Sequence, residues 1–530
     1  MLTVTIDDRT VRVPEGATIL EAARLAGIEI PTLCYREGCR PETSCLVCVV
    51  RVDRGNRLVP ACATKVSNDM TVESETPEVL AARRTALELL LGDHLGDCLG
   101  PCHTVCPAHM DIPRMIRHIA AGEMDEAARV VLEHIPIPSI LGRICPAPCE
   151  RACRRADVDS PVAIRLLKRF VGDYLLGRET PLPGEYAPDS GKRVAIVGAG
   201  PAGLSAAWYL RRMGHACTIT DDRHEPGGML RCSVSEESLP RRVLDGEISA
   251  ILAAGIELRS GVRVGVDLPL SALRNEFDAV LLATGDPAQG PGIGVEITPV
   301  RATHETGLAG VFVAGSALAP SRMAVRAVGS GRSAALAVNE FLHGRAPRGE
   351  ARLYTVRMGR LSPEELAEFA ADTPKHGRIS PSAGEARGLL DEEAEAEADR
   401  CLHCDCAGLD KCALRLWGMK YGADLRIWSG DERKFRRETT HPDLVYEPGK
   451  CIACGLCVQI AEGERAALGL SFIGRGFELR VGAPLGADYS AALSELALEC
   501  AQACPTGALV YVHRPVPVRT SRDTEASEPA

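Results

Sequence analysis

Cysteine carries most of the chemistry in this sequence. Its 22 cysteines fall in groups at 34–62, 98–106, 145–153, 401–412, 451–457 and 500–504, and residues 154–400 hold only Cys217 and Cys232. In a chain that keeps its thiols reduced, closely spaced cysteines are metal ligands rather than disulfide partners. Cys34, Cys45, Cys48 and Cys62 are spaced C-x10-C-x2-C-x13-C, with Cys39 inside the long gap. Three thiolates on one loop and a fourth from a later element can close a [2Fe–2S] cluster; zinc has similar ligand chemistry and is the alternative. His94-x3-Cys98-x3-Cys102-x3-Cys106-Pro107 comes next, then Cys145, Cys149 and Cys153 in LGRICPAPCERAC. Cys401, Cys404, Cys406 and Cys412, spaced C-x2-C-x-C-x5-C, read as one further cubane, again with zinc as the alternative. Cys451-x2-Cys454-x2-Cys457 is a further close run, and Cys504-Pro505 follows at a distance.

A different chemistry sits in the cysteine-poor middle. RVAIVGAGPAGLSAAWYLRRMG places Gly198, Gly200 and Gly203 directly after an apolar strand and at the start of a helix. The first glycine allows a tight turn, the second lets a pyrophosphate approach the backbone, and the third lets helix pack on strand. The helix N-terminus then favours the phosphate charge. The next strand, ACTITD, ends at Asp221, where a carboxylate can accept both hydroxyls of an adenosine ribose. A structural turn with no ligand is the alternative.

The residues around these motifs carry resemblances. The N-terminal stretch, including LVPACAT, resembles the N-terminal domain of the iron–sulfur subunit of respiratory complex I and of multi-cluster hydrogenases, which favours [2Fe–2S]. Between about 98 and 175, CPAHMDIP, the GRICP turn and the PVAI helix resemble the helical domain of the glutamate synthase small subunit, also found in dihydropyrimidine dehydrogenase. That resemblance implies two [4Fe–4S] clusters with interleaved ligands. Cys98, Cys102 and Cys153 would serve one, and Cys106, Cys145 and Cys149 the other. His94 stands in place of a missing cysteine, as in the His-x3-Cys start of complex I; His103 and His109 are weaker candidates. Lys168 occupies the position of a carboxylate or amide ligand, so the second cluster is expected to be altered or lost.

Glu225-Pro226-Gly227-Gly228-Met229-Leu230, FDAVLLATGD around Thr284 and Gly285, GVFVAGSALAP around Gly315, and RAVGSGRSAA around Gly331 resemble the flavin domain of the same family, which implies FAD. Ser316 replaces the Asp that the family uses to hold the ribityl chain. The family inserts a second dinucleotide fold, for NADPH, before the last flavin segment. Such a unit takes about 100 residues, since each βαβ alone needs about 30. The interval from Gly285 to Gly315 is too short to hold one, and GPGIGVEI within it lacks the glycine spacing. YEPGKCIACGLCVQI and CAQACPTGALVY resemble a bacterial-type ferredoxin, which implies one [4Fe–4S] cluster on Cys451, Cys454, Cys457 and the distant Cys504, while Ala461 and the surviving Cys500 mark a lost partner cluster.

The elements needed to hold these residues define the fold class: multidomain, α+β and α/β. The expected order is a β-grasp [2Fe–2S] domain (1–78), a helical [4Fe–4S] domain (79–180) and a Rossmann-like FAD domain (188–345). A linker (346–395), a cysteine module (396–445), a ferredoxin-like domain (446–513) and a tail (514–530) follow. The charge run DEEAEAEAD at 391–399 reads as a solvated helix face. With a net charge of −10 and 4% aromatic residues there is no basic, stacking nucleic-acid surface. No apolar run approaches the roughly 18 residues of a membrane span. MLTVTIDDRTVRV lacks a signal-peptide layout, so a cytoplasmic location is expected.

The implied cofactors are one FAD, one [2Fe–2S] cluster and two to four [4Fe–4S] clusters. No substrate-transforming constellation accompanies them. The leading expectation is an electron-transfer subunit of a larger oxidoreductase. Its partners would be an NAD(H)-binding flavoprotein subunit and a ferredoxin or catalytic subunit, and the same parts would suit flavin-based bifurcation. A stand-alone FAD reductase of NAD(P)H or a small substrate, and a zinc-rich structural protein, are the alternatives.

Overall fold

A computed structural model describes residues 1–53, 57–178, 186–285, 296–351, 353–371, 373–428, 430, 433–463 and 468–511. The chain divides into two compact units. Unit 1 comprises Met1–Leu99, Tyr354–Phe369 and Asp405–Ala530; unit 2 comprises Gly100–Leu353 and Ala370–Cys404. The tail at 514–530 and the GPGIG part of the Gly-rich stretch lie outside the described residues.

Unit 1 opens with the β-grasp arrangement. Its five-stranded sheet runs in the order Arg9–Val13, Leu2–Ile6, Met70–Glu73, Val49–Val52, Leu58–Pro60. Leu2–Ile6 pairs antiparallel with Arg9–Val13 and parallel with Met70–Glu73. Alternation turns Val4, Ile6 and Val13 inward against Ile19, Leu20 and Ala23 of helix Ile19–Leu25. Thr18 caps that helix in a reciprocal box with Glu21, and Gly27, at φ +68, ends it. Helix Pro77–Gly92 follows. The C-terminal part of unit 1 has a three-stranded antiparallel sheet, Glu438–His441, Leu444–Tyr446 and Leu509–Tyr511, backed by helices Leu456–Gly463 and Ala497–Ala503. Residues expected to be a bare linker are built into this unit. Met358, Leu361 and Phe369 are buried, and Phe369 stacks on Phe435 at 4.1 Å.

Unit 2 joins a helical part to a parallel sheet. Helices Pro101–Val105, Ile112–Ala120, Met124–Leu132, Pro138–Ile144 and Ile164–Gly177 lie among the cysteines at 102–153 and just beyond them. The sheet order is Val311–Val313, Ala279–Leu282, Arg193–Val197, Ala216–Asp221, Glu257–Ser260, all parallel. Its central strands are continuous apolar runs, as strands buried on both faces must be. The acidic stretch is helix Asp391–Asp399, and here the structure departs from expectation: Glu397 is fully buried, not solvated. It accepts from the amides of Ala163 and Ile379, each at 2.7 Å, and pairs with Arg400 at 2.8 Å. No helix among the described residues is long and apolar enough to cross a membrane.

Candidate metal and dinucleotide sites

In unit 1 the loop after helix Ile19–Leu25 carries Cys34, Cys45 and Cys48, and Cys62 follows strand Leu58–Pro60. All four thiols are buried. Cys34 Sγ lies 3.3 Å from Cys45 Sγ, and Cys48 is hydrogen-bonded to Cys62. Within each pair the shared proton holds one thiol down, Cys34 and Cys48, and pushes the other up, Cys45 and Cys62. Thr43 and Leu46, at φ +52 and +53, turn the loop back on itself so that the sulfurs converge. Four deprotonatable sulfurs gathered in this way are the donor set a two-iron cluster needs.

The C-terminal set in unit 1 lines a cavity: Cys451, Cys454, Cys457 and Cys504, with Tyr446 and Leu509. Burial raises the thiols of Cys451, Cys454 and Cys457. Ala453, at φ +52, aims its amide at Cys451 Sγ, 3.4 Å away. Cys500 is turned elsewhere, its thiol donating to the Cys457 carbonyl at 3.7 Å.

A third group in unit 1 is one that sequence spacing did not reveal. Cys406 and Cys412 lie in the electrostatic surroundings of Cys98, and the Cys406 amide donates to the Cys98 carbonyl at 3.2 Å. Lys450, buried and paired with Glu447, sits in the same field and that of His94. Burial pushes His94 down to about 3, so the imidazole is neutral, and its buried Nδ1 has no hydrogen-bond partner. An orphaned, neutral ring nitrogen is what a histidine ligand requires. A Cβ on Gly507 would come within 2.1 Å of Cys406 Sγ, so only glycine leaves that sulfur its place.

In unit 2, Cys106, Cys145 and Cys149 gather as expected from the resemblance, with Lys168 facing Cys106 and Cys149. Burial still pushes Cys149 up to about 12 despite that cation. Cys102 and Cys153, however, are not grouped with Cys98. They line a cavity with Cys401 and Cys404. Expectation had placed 401, 404, 406 and 412 in one module; the division of the chain between Cys404 and Asp405 puts two cysteines in each unit. His103 faces Asp111 at 3.8 Å and His109 faces Glu350 at 3.1 Å, each beside a carboxylate. Among the described residues no three His, Cys, Asp or Glu side chains close to the spacing of one bare ion. Zinc holds its thiolate ligands about 2.3 Å from one centre, whereas cubane thiolates bind four separate irons.

The glycine loop of unit 2 is built as its motif requires. A Cβ on Gly198 would meet the Ala283 carbonyl at 2.4 Å, and one on Gly203 the Gly198 carbonyl at 1.9 Å, while at Gly200 nothing lies within 4 Å. Gly200 therefore leaves open space over the N-terminus of helix Pro201–Arg212. Asp221 first braces the loop, accepting from the amides of Ala199 at 2.5 Å and Arg223 at 2.9 Å. Gly227 donates back to Ala199, and Gly228 packs on Gly200. Thr284 and Gly285 follow strand Ala279–Leu282. Gly315 donates to Ser330, and Ser316 to the Ser321 carbonyl. Gly331 serves packing: its Cβ would meet the Ala202 carbonyl at 2.2 Å.

Family models match three stretches that carry these sites. A 2Fe–2S iron–sulfur cluster binding domain matches residues 1–77. The 4Fe–4S domain II of dihydropyrimidine dehydrogenase matches 96–180, and an NAD(P)-binding Rossmann-like domain matches 196–257. The glutamate synthase [NADPH] small chain of Mycobacterium tuberculosis is 37% identical over 193 residues, 36% of this chain and 40% of that one. This chain resembles the glutamate synthase small chain. The NADP(+)-dependent formate dehydrogenase subunit beta of Moorella thermoacetica is 42% identical over 206 residues, 35% of this chain and 29% of the relative. The NADPH-Fe(3+) oxidoreductase subunit beta of Geobacter sulfurreducens is 41% identical over 198 residues, 37% and 29%. The chain thus spans less than half the length of these relatives. By their names they are subunits of oxidoreductases.

Proposed function

We propose that this chain is an FAD- and iron–sulfur-dependent electron-transfer subunit of a larger oxidoreductase. It would pass electrons between an NAD(P)-linked partner, FAD, and a ferredoxin or catalytic partner. One observation carries the reading: Cys34, Cys412 and Cys454, from three separate cysteine groups of unit 1, are buried in one apolar core with Leu33, Val47 and Leu456. Metal sites sharing a dry, packed core suit transfer between fixed centres, and a substrate-processing site does not need them. When bound, a flavin exchanges one or two electrons and each cluster passes one.

The chain's own residues do the holding. Buried thiols release their protons as iron binds, and the low-dielectric surroundings then tune each cluster. Open space at Gly200 admits a pyrophosphate, the helix N-terminus at Pro201 favours its charge, and Asp221 fixes the loop while keeping acceptor capacity for a ribose. FAD rather than a nicotinamide dinucleotide is supported by residues 225–230, 277–286 and 310–320, which resemble flavin-domain segments.

Anaerobic purification with iron, sulfide and flavin analysis tests this. About 10 to 18 irons per chain with matching sulfide are expected, from one two-iron and two to four four-iron clusters, together with FAD. A zinc-dominated protein without acid-labile sulfide would overturn it in favour of a structural zinc protein.

A further inference from the structure

We infer that Cys102, Cys153, Cys401 and Cys404 together hold one [4Fe–4S] cluster. These four residues line a single cavity in unit 2, with Pro101, Ile116 and Val162 as apolar walls. The inference rests on the iron–sulfur reading above but goes beyond it. Two of the ligands precede the parallel sheet in sequence, and the other two follow it.

A separate framework explains how the distant pair reaches the site. Helix Asp391–Asp399 packs along helix Ile112–Ala120 and leads directly into Cys401. Its Arg400 guanidinium is fully buried and bonds Glu397 at 2.8 Å, Asp159 at 2.9 Å and the Ser160 carbonyl at 2.8 Å. Arg155 returns the contact, donating to the Arg400 carbonyl at 3.1 Å and to Asp159. Segment 397–401 is thereby fastened to segment 153–160, which fixes Cys401 beside Cys153. These are positioning residues. Arg154 and Arg155, both buried, also line the cavity. Four thiolates on a cluster leave a net negative charge, and buried guanidinium groups offset it.

The test is iron counting in the anaerobically purified full chain. Cys102→Ala and Cys401→Ala should each lose about four irons with matching sulfide, and the double variant should lose the same about four, because both remove one cluster. Loss of about eight irons in that double variant would overturn the assignment. So would loss of only about four in Cys401→Ala combined with Cys412→Ala, which would put those two residues on one cluster. Retention of the flavin absorbance, which reports on unit 2 itself, shows that a variant has folded. Where it is lost, Cys404→Ser and Cys153→Ser, which keep an oxygen donor, replace the alanine variants. Both should alter the same low-temperature EPR signal of the reduced protein; alteration of two different signals would overturn the inference. If the unaltered chain contains zinc without sulfide, the parent reading fails first, and the two failures are told apart.

Discussion

At the scale of single residues, the informative feature is a missing partner. His94 has a buried Nδ1 with nothing to bond, in a field shared with Lys450, which also faces Cys98 and Cys406. Leaving such an atom unpaired costs about 1–3 kcal/mol, so a ligand role explains what packing does not. His94→Ala should alter one four-iron EPR signal and leave the two-iron signal as it was; an unchanged spectrum would make His94 a packing residue. Lys168 poses the opposite case, a cation where an anionic ligand is expected. Lys168→Glu puts a carboxylate against Cys106 and Cys149 and should raise the iron content by up to about four per chain. An unchanged count would show that Lys168 is not what limits that site. The family resemblance tied Lys168 to the cysteines it faces in the fold, but it tied His94 to Cys98, Cys102 and Cys153, whereas the fold gives Cys98 the company of Cys406 and Cys412.

At the scale of elements, the acidic helix Asp391–Asp399 shows why composition misleads. A run of acidic residues suggests solvent, yet one of them, Glu397, is the anchor of the segment, because Arg400 and two amides meet it. Glu397→Ala leaves the Arg400 charge with less compensation and should cost about 3–5 kcal/mol in thermal or denaturant unfolding of unit 2. Glu247, on helix Arg241–Leu252, plays a similar part toward helix Pro138–Ile144, accepting from the amides of Ser139 and Ile140 at 2.6 and 2.8 Å. Burial raises its carboxyl from 4.5 to about 8. The folded state therefore keeps a proton that the unfolded chain releases. That contribution is fullest below pH 4.5 and is lost as pH rises through about 8. Melting of the holoprotein from mildly acidic to mildly alkaline pH should show this fall, and Glu247→Gln should flatten it. Local signals were legible where the physics is local. The glycine loop behind its apolar strand was visible as a sequence pattern, whereas the Thr18–Glu21 capping box is seen in the fold. Thr18→Ala should accordingly cost about 1 kcal/mol.

For the whole molecule, spacing between neighbours could not show that segments as distant in the chain as Cys98 and Cys406 come together. The close run 401–412 therefore read as one module, where the structure assigns Cys401 and Cys404 to one group and Cys406 and Cys412 to another. The short interval between Gly285 and Gly315 remains the basis of a kinetic expectation. If the phosphate-cradling turn at Gly198–Gly203 holds FAD, as proposed, the isolated chain should be reduced only slowly by NADH or NADPH, and readily by dithionite or a reduced ferredoxin. Stopped-flow bleaching would decide it; rapid, saturable reduction by either nucleotide would favour a stand-alone reductase. The discontinuous make-up of unit 1 also bears on how the protein is made. Unit 2 is complete once Cys404 has been synthesised, but unit 1 begins before it and ends after it. At about 5–20 residues per second, Cys98 must wait roughly 15–60 s on the ribosome before Cys406 and Cys412 exist. On the proposed ligand groups biogenesis then has an order: the thiols of unit 2 can be metallated on a nascent chain, while the Cys98 group stays incomplete until translation has passed the second cysteine pair.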